Sequence, residues 1–285
     1  MPLVIAAPIG QGGGMPQWSC AACAVEYPET DAAPSGCVIC RDERQYVPPS
    51  GQKWTSLEEL EHSGSSIRIN EVEPTLFSVV AEPEVGIGQH GLVVSTPAGN
   101  VLWDPPGFVD EAAAEWIRGI GGVAAIIASH PHMYGAQVSW SRMLGGVPVY
   151  VSTADRAWVQ RDDECIVEFS GSLEPVPGVR VKTVGGHFPG SNVLHFEGAD
   201  GRGVLLSGDT IFPGPSQKWV TFQRSFPNDI PLSAAVVDRV VTATNEFDYD
   251  RVYGNFATPC PSMRAPRCAG RPTATWRGCA ETSTT

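Results

Sequence analysis

Apolar positions along the chain change period from one segment to the next. Gly91-Leu92-Val93-Val94-Ser95 and Val101-Leu102-Trp103-Asp104 flank a turn over 96–100, a pattern that predicts a hairpin whose second strand stops at Pro105 and Pro106. From Asp110 to Gly119 the spacing becomes helical, with Asp110 as N-cap and Ala112, Ala113, Trp116 and Ile117 on one apolar face. The run from Val123 to Ala128 then reads as a buried strand ending at His130. Strands are also expected over Val147–Val151, Val179–Val184, Val193–Phe196 and Gly203–Ser207, a short helix over Ala154–Val159, and an amphipathic helix over Ser233–Thr242. Strands alternating with helices, with hairpins between them, predict an α/β architecture built on mixed sheets.

The chain has 285 residues, 42% of them hydrophobic, which is enough for one large domain and a small appendage. Its net charge of −12 argues against a nucleic-acid partner, because phosphate backbones are bound by basic surfaces. No apolar run approaches the roughly 20 residues of a membrane span, and the first 14 residues lack the basic start of an export signal. A cytoplasmic protein with no membrane partner is expected, and residues 1–15, rich in glycine, are read as a disordered extension.

Four of the eight cysteines form two knuckles, Cys20-Ala21-Ala22-Cys23 and Cys37-Val38-Ile39-Cys40, at a spacing that lets four thiolates close a tetrahedron around one structural zinc. The alternative, two disulfides, belongs to an exported module. The segment 16–48 resembles a zinc ribbon or rubredoxin-like module. Ala24 and Arg41 stand where rubredoxin-type knuckles carry glycine, which favours zinc over iron. A four-thiolate site has no open position, so its expected work is to hold a segment too short to build its own core, and it could also meet a protein partner. Val47 to Gly51 reads as a linker, a helical stretch with Leu57 and Leu60 follows, and the large domain is placed at 55–258.

Further candidate ligands lie at the ends of expected strands: His130 and His132 in Ser129-His130-Pro131-His132-Met133-Tyr134-Gly135, His187 in Gly185-Gly186-His187-Phe188-Pro189-Gly190-Ser191, and Asp209 in Leu206-Ser207-Gly208-Asp209-Thr210. Three imidazoles and a carboxylate suit zinc, while nitrogen and oxygen donors also admit iron or manganese. In this order, with Trp103-Asp104 upstream, the motifs resemble those of the metallo-β-lactamase fold, an αββα sandwich of hydrolases, over about residues 75–256. The resemblance implies that His130, His132 and His187 bind a first metal ion and that Asp209, which bridges two metals in the family, completes that site. It also implies that the second metal's ligands are lost, because Tyr134 and Gly135 replace the end of the family's HxHxDH motif. Tyr253-Gly254-Asn255-Phe256 likewise stands where a final His is expected.

The resemblance therefore implies one catalytic zinc in an αββα metallo-β-lactamase-like sandwich preceded by a small zinc ribbon. The expected activity is water attack on an ester, thioester, lactone or related acyl bond of a small-molecule substrate. Asp209 is the candidate base. Tyr134 is a candidate acid or oxyanion donor, or equally an aromatic packed over the pocket rim. Ser225 to Pro231 is read as a loop shaping the entrance, or as a simple connection capped by Ser233. The rival function is a non-catalytic metal-binding or protein-interaction module on the same fold; electron transfer by iron at the four cysteines is a third reading. The last 27 residues, with three cysteines, four arginines and four prolines, lack apolar periodicity and are expected to be a disordered tail or the product of a shifted reading frame.

Overall fold

The computed structural model describes residues 15–214 and 219–256. The expectations for 1–14 and for the tail over 259–285 lie outside the described residues. The chain opens with three short antiparallel strands, β1 (Gln17–Cys20), β2 (Glu26–Glu29) and β3 (Trp54–Thr55), in the order β2-β1-β3. The first cysteine knuckle turns between β1 and β2, and the second lies in the long excursion before β3. Because β3 pairs with β1, the hydrogen-bonded ribbon runs past Gly51 to Thr55. Helix α1 (Leu57–His62) follows directly, its N-terminus capped by the Ser56 hydroxyl, which accepts from the Glu59 N–H at 3.1 Å.

A seven-stranded sheet comes next, ordered in space as in the chain: β4 (Ser66–Glu73), β5 (Leu76–Glu82), β6 (Gly91–Thr96), β7 (Gly99–Trp103), β8 (Ala125–Ile127), β9 (Val149–Ser152) and β10 (Ile166–Phe169). The first four strands are an antiparallel meander and the last four run parallel. Parallel neighbours need crossovers, supplied by α2 (Glu111–Gly119) between β7 and β8 and by α3 (Gln137–Met143) between β8 and β9. The second sheet joins β11 (Ser172–Val176), β12 (Val179–Thr183), β13 (Asn192–Glu197) and β14 (Gly203–Leu206). Two small pairs intervene, β15 (Phe212–Pro213) with β16 (Val220–Thr221) and β17 (Gln223–Ser225) with β18 (Ile230–Pro231). Helix α4 (Ala234–Thr244) then leads to β19 (Arg251–Tyr253), which pairs parallel with β14.

Side-chain alternation explains the layering. Leu92, Val94, Val101 and Trp103 turn into the core between the sheets and meet Leu194, Phe196 and Leu206. Their neighbours Val93 and Leu102 point the other way, into a core shared with Ile117, Trp140 and the ribbon's Tyr27. On the far side Val240 of α4 packs with Val193, Leu205 and Val252. The result is four layers, helix, sheet, sheet, helix, with the ribbon on the first helical layer.

Two local expectations change. The buried face of α2 is Ala113, Ala114 and Ile117, with Ala112 exposed. Asp110 caps this helix, accepting the Ala113 N–H at 2.8 Å. Ser233 occupies the N-cap position of α4 but makes no side-chain capping bond.

Candidate metal centre

His130 leaves β8 in an extended conformation, and Pro131, with the φ it imposes, opens a single 3₁₀ turn over Pro131–Met133 that swings His132 beside it. The two rings lie 5.2 Å apart. His187 enters from the β12–β13 loop, and Asp209 from the turn after β14. These side chains meet in the buried interior: His132 Nδ1 is 3.2 Å from His187 Nε2, His130 Nε2 is 3.4 Å from Asp209 Oδ2, and His187 Nε2 is 3.9 Å from Asp209 Oδ2. All four donor atoms lie within 4.8 Å of one another. Ligand bonds of about 2.0–2.1 Å give a tetrahedron with edges of roughly 3.3 Å, so the spacing fits a zinc-sized ion. His130 Nε2 is buried without a hydrogen-bond partner, a condition that a cation held among these donors relieves.

The surrounding contacts aim the imidazoles. His187 Nδ1 lies 3.0 Å from the Gln223 carbonyl and must be protonated to bond it, which leaves Nε2 as the lone-pair nitrogen. The Ser129 hydroxyl hydrogen-bonds His130 Nδ1 at 2.8 Å and holds that ring's orientation. Asp104 is fully buried at the end of β7 with φ at 52°, and its carboxylate accepts the Ser129 N–H at 2.5 Å. Burial, partly countered by nearby His130, pushes its carboxyl up to about 7. Burial also holds His132 well below the ordinary imidazole range and, with His130 beside it, takes His187 down to about 4. Both imidazoles are therefore neutral and ligand-competent at pH 7.

Two residues packed against this arrangement carry no separate signal in the sequence. The Phe188 ring stands against all three imidazoles, 5.7 Å from His130, 4.9 Å from His132 and 5.2 Å from His187. Arg44, from the ribbon, lays its guanidinium 3.8 Å over that ring and donates weakly to the His187 carbonyl at 3.4 Å. Only adjacency to His187 points to Phe188, and nothing local points to Arg44.

The four ribbon cysteines also converge. They are free and buried, with Cys20 and Cys40 sulfurs 3.6 Å apart and Cys23 and Cys37 sulfurs 3.6 Å apart. A tetrahedron of bonds near 2.3 Å has edges of about 3.8 Å, so this cluster fits one zinc-sized ion too. Gln52 supports it from both ends, donating to Cys20 Sγ at 3.1 Å and accepting from the Cys37 N–H at 3.1 Å. Ala24 adopts φ 64°, the left-handed conformation that glycine takes readily, at a cost of about 1 kcal/mol. Its methyl group fits where the backbones of Gly86 and Gly107 approach so closely that a Cβ on either would lie 2.6 and 2.1 Å from it.

Tyr134 is not brought to the donor cluster. It is buried, its hydroxyl donates to the Asp155 carbonyl at 3.2 Å, and it does not line the cavity above the ligands. Burial pushes its phenol well above the ordinary range. The placement corrects the expected catalytic role and the pocket-rim alternative alike, because the turn after His132 points the ring toward the β9–β10 connection. Gly135 sits at φ 46° and has no room for a side chain: a Cβ would lie 2.5 Å from the Pro105 carbonyl oxygen and 3.1 Å from Gln89 Nε2. Asn255 is buried and donates to the His90 carbonyl at 3.0 Å. Among the described residues, the cysteine and His/Asp groups are the two clusters of three or more such side chains within ligating reach.

A cavity of about 580 Å³ adjoins the His/Asp cluster, and His132, His187 and Asp209 are among the residues that line it. Phe226 and Pro227 from the loop after β17 line it, consistent with that loop shaping an entrance.

No family model matches this chain. Its architecture is that of solved metallo-β-lactamases. The DIM-1 metallo-β-lactamase superposes with a TM-score of 0.52 at 14% identity, over 68% of this chain and 90% of that one. The structure of VMB-1 gives 0.52 at 15% identity over the same shares. The protein thus has the metallo-β-lactamase fold, carrying a four-cysteine ribbon and a His/Asp metal-binding group. It is 38% identical over 246 residues to the uncharacterised protein YmaE of Bacillus subtilis (strain 168), spanning 85% of this chain and 89% of that protein, and it belongs to the family of YmaE.

Proposed function

We propose that the protein is a zinc hydrolase with one metal ion at the His130, His132, His187 and Asp209 site, cleaving an ester, thioester, lactone or related acyl bond of a small molecule. The observation that carries this reading is the convergence of three imidazoles and one carboxylate beside a cavity that His132, His187 and Asp209 line. Zinc bound there supplies Lewis acidity, polarising an acyl carbonyl and making water a stronger nucleophile near neutral pH.

The chain's own groups then have separable tasks. His130, His132 and His187 hold charge and geometry, with Ser129 and Gln223 fixing their orientation. Asp209 keeps Oδ1 unpartnered beside the donor cluster. It is assigned to take the proton from the attacking water and return it to the leaving alkoxide or thiolate, as the carbon–oxygen bond to water forms and the acyl bond breaks. Tyr134 has no part in this scheme. The four-cysteine zinc has a structural role. Four cysteines that form no disulfide and converge on one metal-sized site suit a reducing compartment, and we assign the protein to the cytoplasm. Among the described residues no helix is long and apolar enough to cross a membrane.

Metal analysis combined with an ester assay tests the proposal. The expected result is about two zinc ions per chain, one of them removed by mild chelation together with the esterase activity and both restored by added zinc. Hydrolysis that survives loss of the His-site metal, or a fully loaded protein inert toward a broad panel of aryl esters, thioesters and lactones, overturns it.

A further inference from the structure

We propose that the four-cysteine ribbon is the substrate-recognition wall of the His/Asp site, and that it selects acyl compounds bearing an aromatic or similarly bulky apolar group next to the scissile bond. The inference rests on the metal site proposed above and assigns the ribbon a binding role. Ala22, Arg44, Gln45, Tyr46 and Pro48 of the ribbon and its following turn all line the cavity that His132, His187 and Asp209 also line. Tyr46 is 54% exposed, which for a large ring at a cavity wall leaves apolar surface for a ligand to cover. Ile87, Phe212, Phe226 and Phe256 line the same cavity. Phe226 lies 4.7 Å from Phe212 and 5.9 Å from His187, measured between ring centres. A carbonyl placed over the ligands therefore sends its nearest substituent onto an aromatic surface.

The wall is fixed in place. Ala24 is interlocked with Gly86 and Gly107, the Glu26 N–H donates to the Gly135 carbonyl at 3.1 Å, and the Asn228 amide donates to the Glu43 carbonyl at 2.8 Å. Arg224 also pairs with Glu43. The ribbon thus touches both the loop carrying His132 and the loop after β17.

Among the described residues lining the cavity, the cationic side chain is Arg44, and it is already engaged. Arg44 Nε and Nη2 grip the Asp42 carboxylate at 2.6 and 2.9 Å, while the guanidinium face covers Phe188. Arg44 thus leaves no bidentate fork for a substrate carboxylate, so the described lining favours an apolar substituent over an anionic one.

Hydroxamates test this on the zinc-loaded full chain, because they ligate a metal whether or not the protein turns over esters. Calorimetric titration compares acetohydroxamate, benzohydroxamate and the monohydroxamate of succinate. The expected order has benzohydroxamate about ten-fold tighter than acetohydroxamate, as partial burial of a phenyl ring requires, and the anionic compound no tighter than acetohydroxamate. Tyr46→Ala and Phe226→Ala should each lower the benzo-to-aceto ratio by about three-fold or more, whereas Val38→Ala, on an exposed part of the second knuckle, should leave it unchanged. A ratio near one, preference for the anionic compound, or a ratio indifferent to Tyr46→Ala overturns the recognition wall while leaving the hydrolase reading standing. Aromatic preference in a protein that hydrolyses nothing supports the wall and removes the hydrolase reading alone.

Discussion

Replacing Glu26 by alanine should unseat the ribbon from the sandwich, and the structure gives the size of the effect. Glu26 is 3% exposed at the start of β2. Its Oε1 accepts the Val138 N–H at 2.5 Å and the Ser139 N–H at 3.4 Å, and its Oε2 accepts the Ser139 hydroxyl at 2.8 Å and Arg161 Nη1 at 2.7 Å. Helix α3 has Ala136 at its own N-cap and makes no local side-chain cap, so the ribbon's carboxylate caps it from outside. Alanine at 26 strands the Arg161 guanidinium, whose side chain is 8% exposed, with the half-exposed Glu29 as its remaining ion-pair partner. Removing one member of a buried pair costs about 3–5 kcal/mol, and loss of a helix cap about 1 kcal/mol more. With Glu29 retaining part of the Arg161 interaction, the expected loss is about 3–4 kcal/mol, or roughly 6–16 °C in Tm for a domain of this size. Unfolding by urea and by heat, followed by circular dichroism at fixed zinc concentration, measures it. Glu29→Ala, which removes an exposed carboxylate, is the comparator and should cost no more than about 1 kcal/mol. A Glu26→Ala protein within about 1 kcal/mol of the parent would refute the claim that this buried network seats the ribbon.

Tyr134→Phe removes only the hydrogen bond to the Asp155 carbonyl, so stability should fall by about 1 kcal/mol while kcat per bound zinc stays unchanged; a collapse of kcat would return the phenol to the chemistry. Gly135→His reinstates the residue that the HxHxDH pattern implies, yet elemental analysis should still find no third zinc, and Tm should drop. Its φ of 46° alone costs about 1–3 kcal/mol for a residue with a Cβ, before the clash with Pro105 is counted. In the metal-free protein, His187 should make stability depend on acid: its imidazole, held at about 4, stays neutral in the fold where the unfolded chain takes a proton below about 6.5. The contribution is complete above about pH 6.5 and falls away toward pH 4, amounting to about 3 kcal/mol. Chelated parent and His187→Asn proteins, unfolded in urea at pH 7 and pH 4.5, should differ in this pH dependence, and parallel curves would show that His187 does not cause it.

The parts of the structure legible in the sequence are those encoded by neighbouring residues. The β6–β7 hairpin and α2 follow from period-2 and helical spacing closed by turn and cap residues. The ligands follow from short motifs at strand ends, and the ribbon from its CxxC pairs. The contacts that turn these pieces into one site span long intervals. Glu26 and Arg161 are 135 residues apart, and Arg44 reaches the His187 carbonyl across 143 residues. No periodicity marks such partners. The direction of Tyr134 was equally invisible, because it depends on how far the 3₁₀ turn rotates the chain after His132. Strands of two or three residues such as β15 to β18 are too short to show alternation.

The missing half of the metal motif and the presence of the ribbon are linked in the structure. Gly135 stands where a second-metal histidine would be expected, and its carbonyl accepts the Glu26 N–H at 3.1 Å. Three residues later, α3 begins its hydrogen bonding against the Glu26 carboxylate. The same backbone stretch also lies against Pro105 and Pro106, with the Trp140 indole donating to the Pro106 carbonyl at 3.1 Å. Gly107, next in sequence, receives the Ala24 methyl. A side chain at 135 would force apart the segment on which the ribbon is seated. Docking of the ribbon and a ligand at 135 are therefore competing uses of one surface, and this chain uses that surface for the ribbon. The His/Asp site is compatible with docking because His132, His187 and Asp209 line the cavity that the ribbon then walls. On this argument, deleting the ribbon should not recover a two-metal site, since Gly135 and Pro105 would still exclude the side chain; it should instead leave the His/Asp site without its wall.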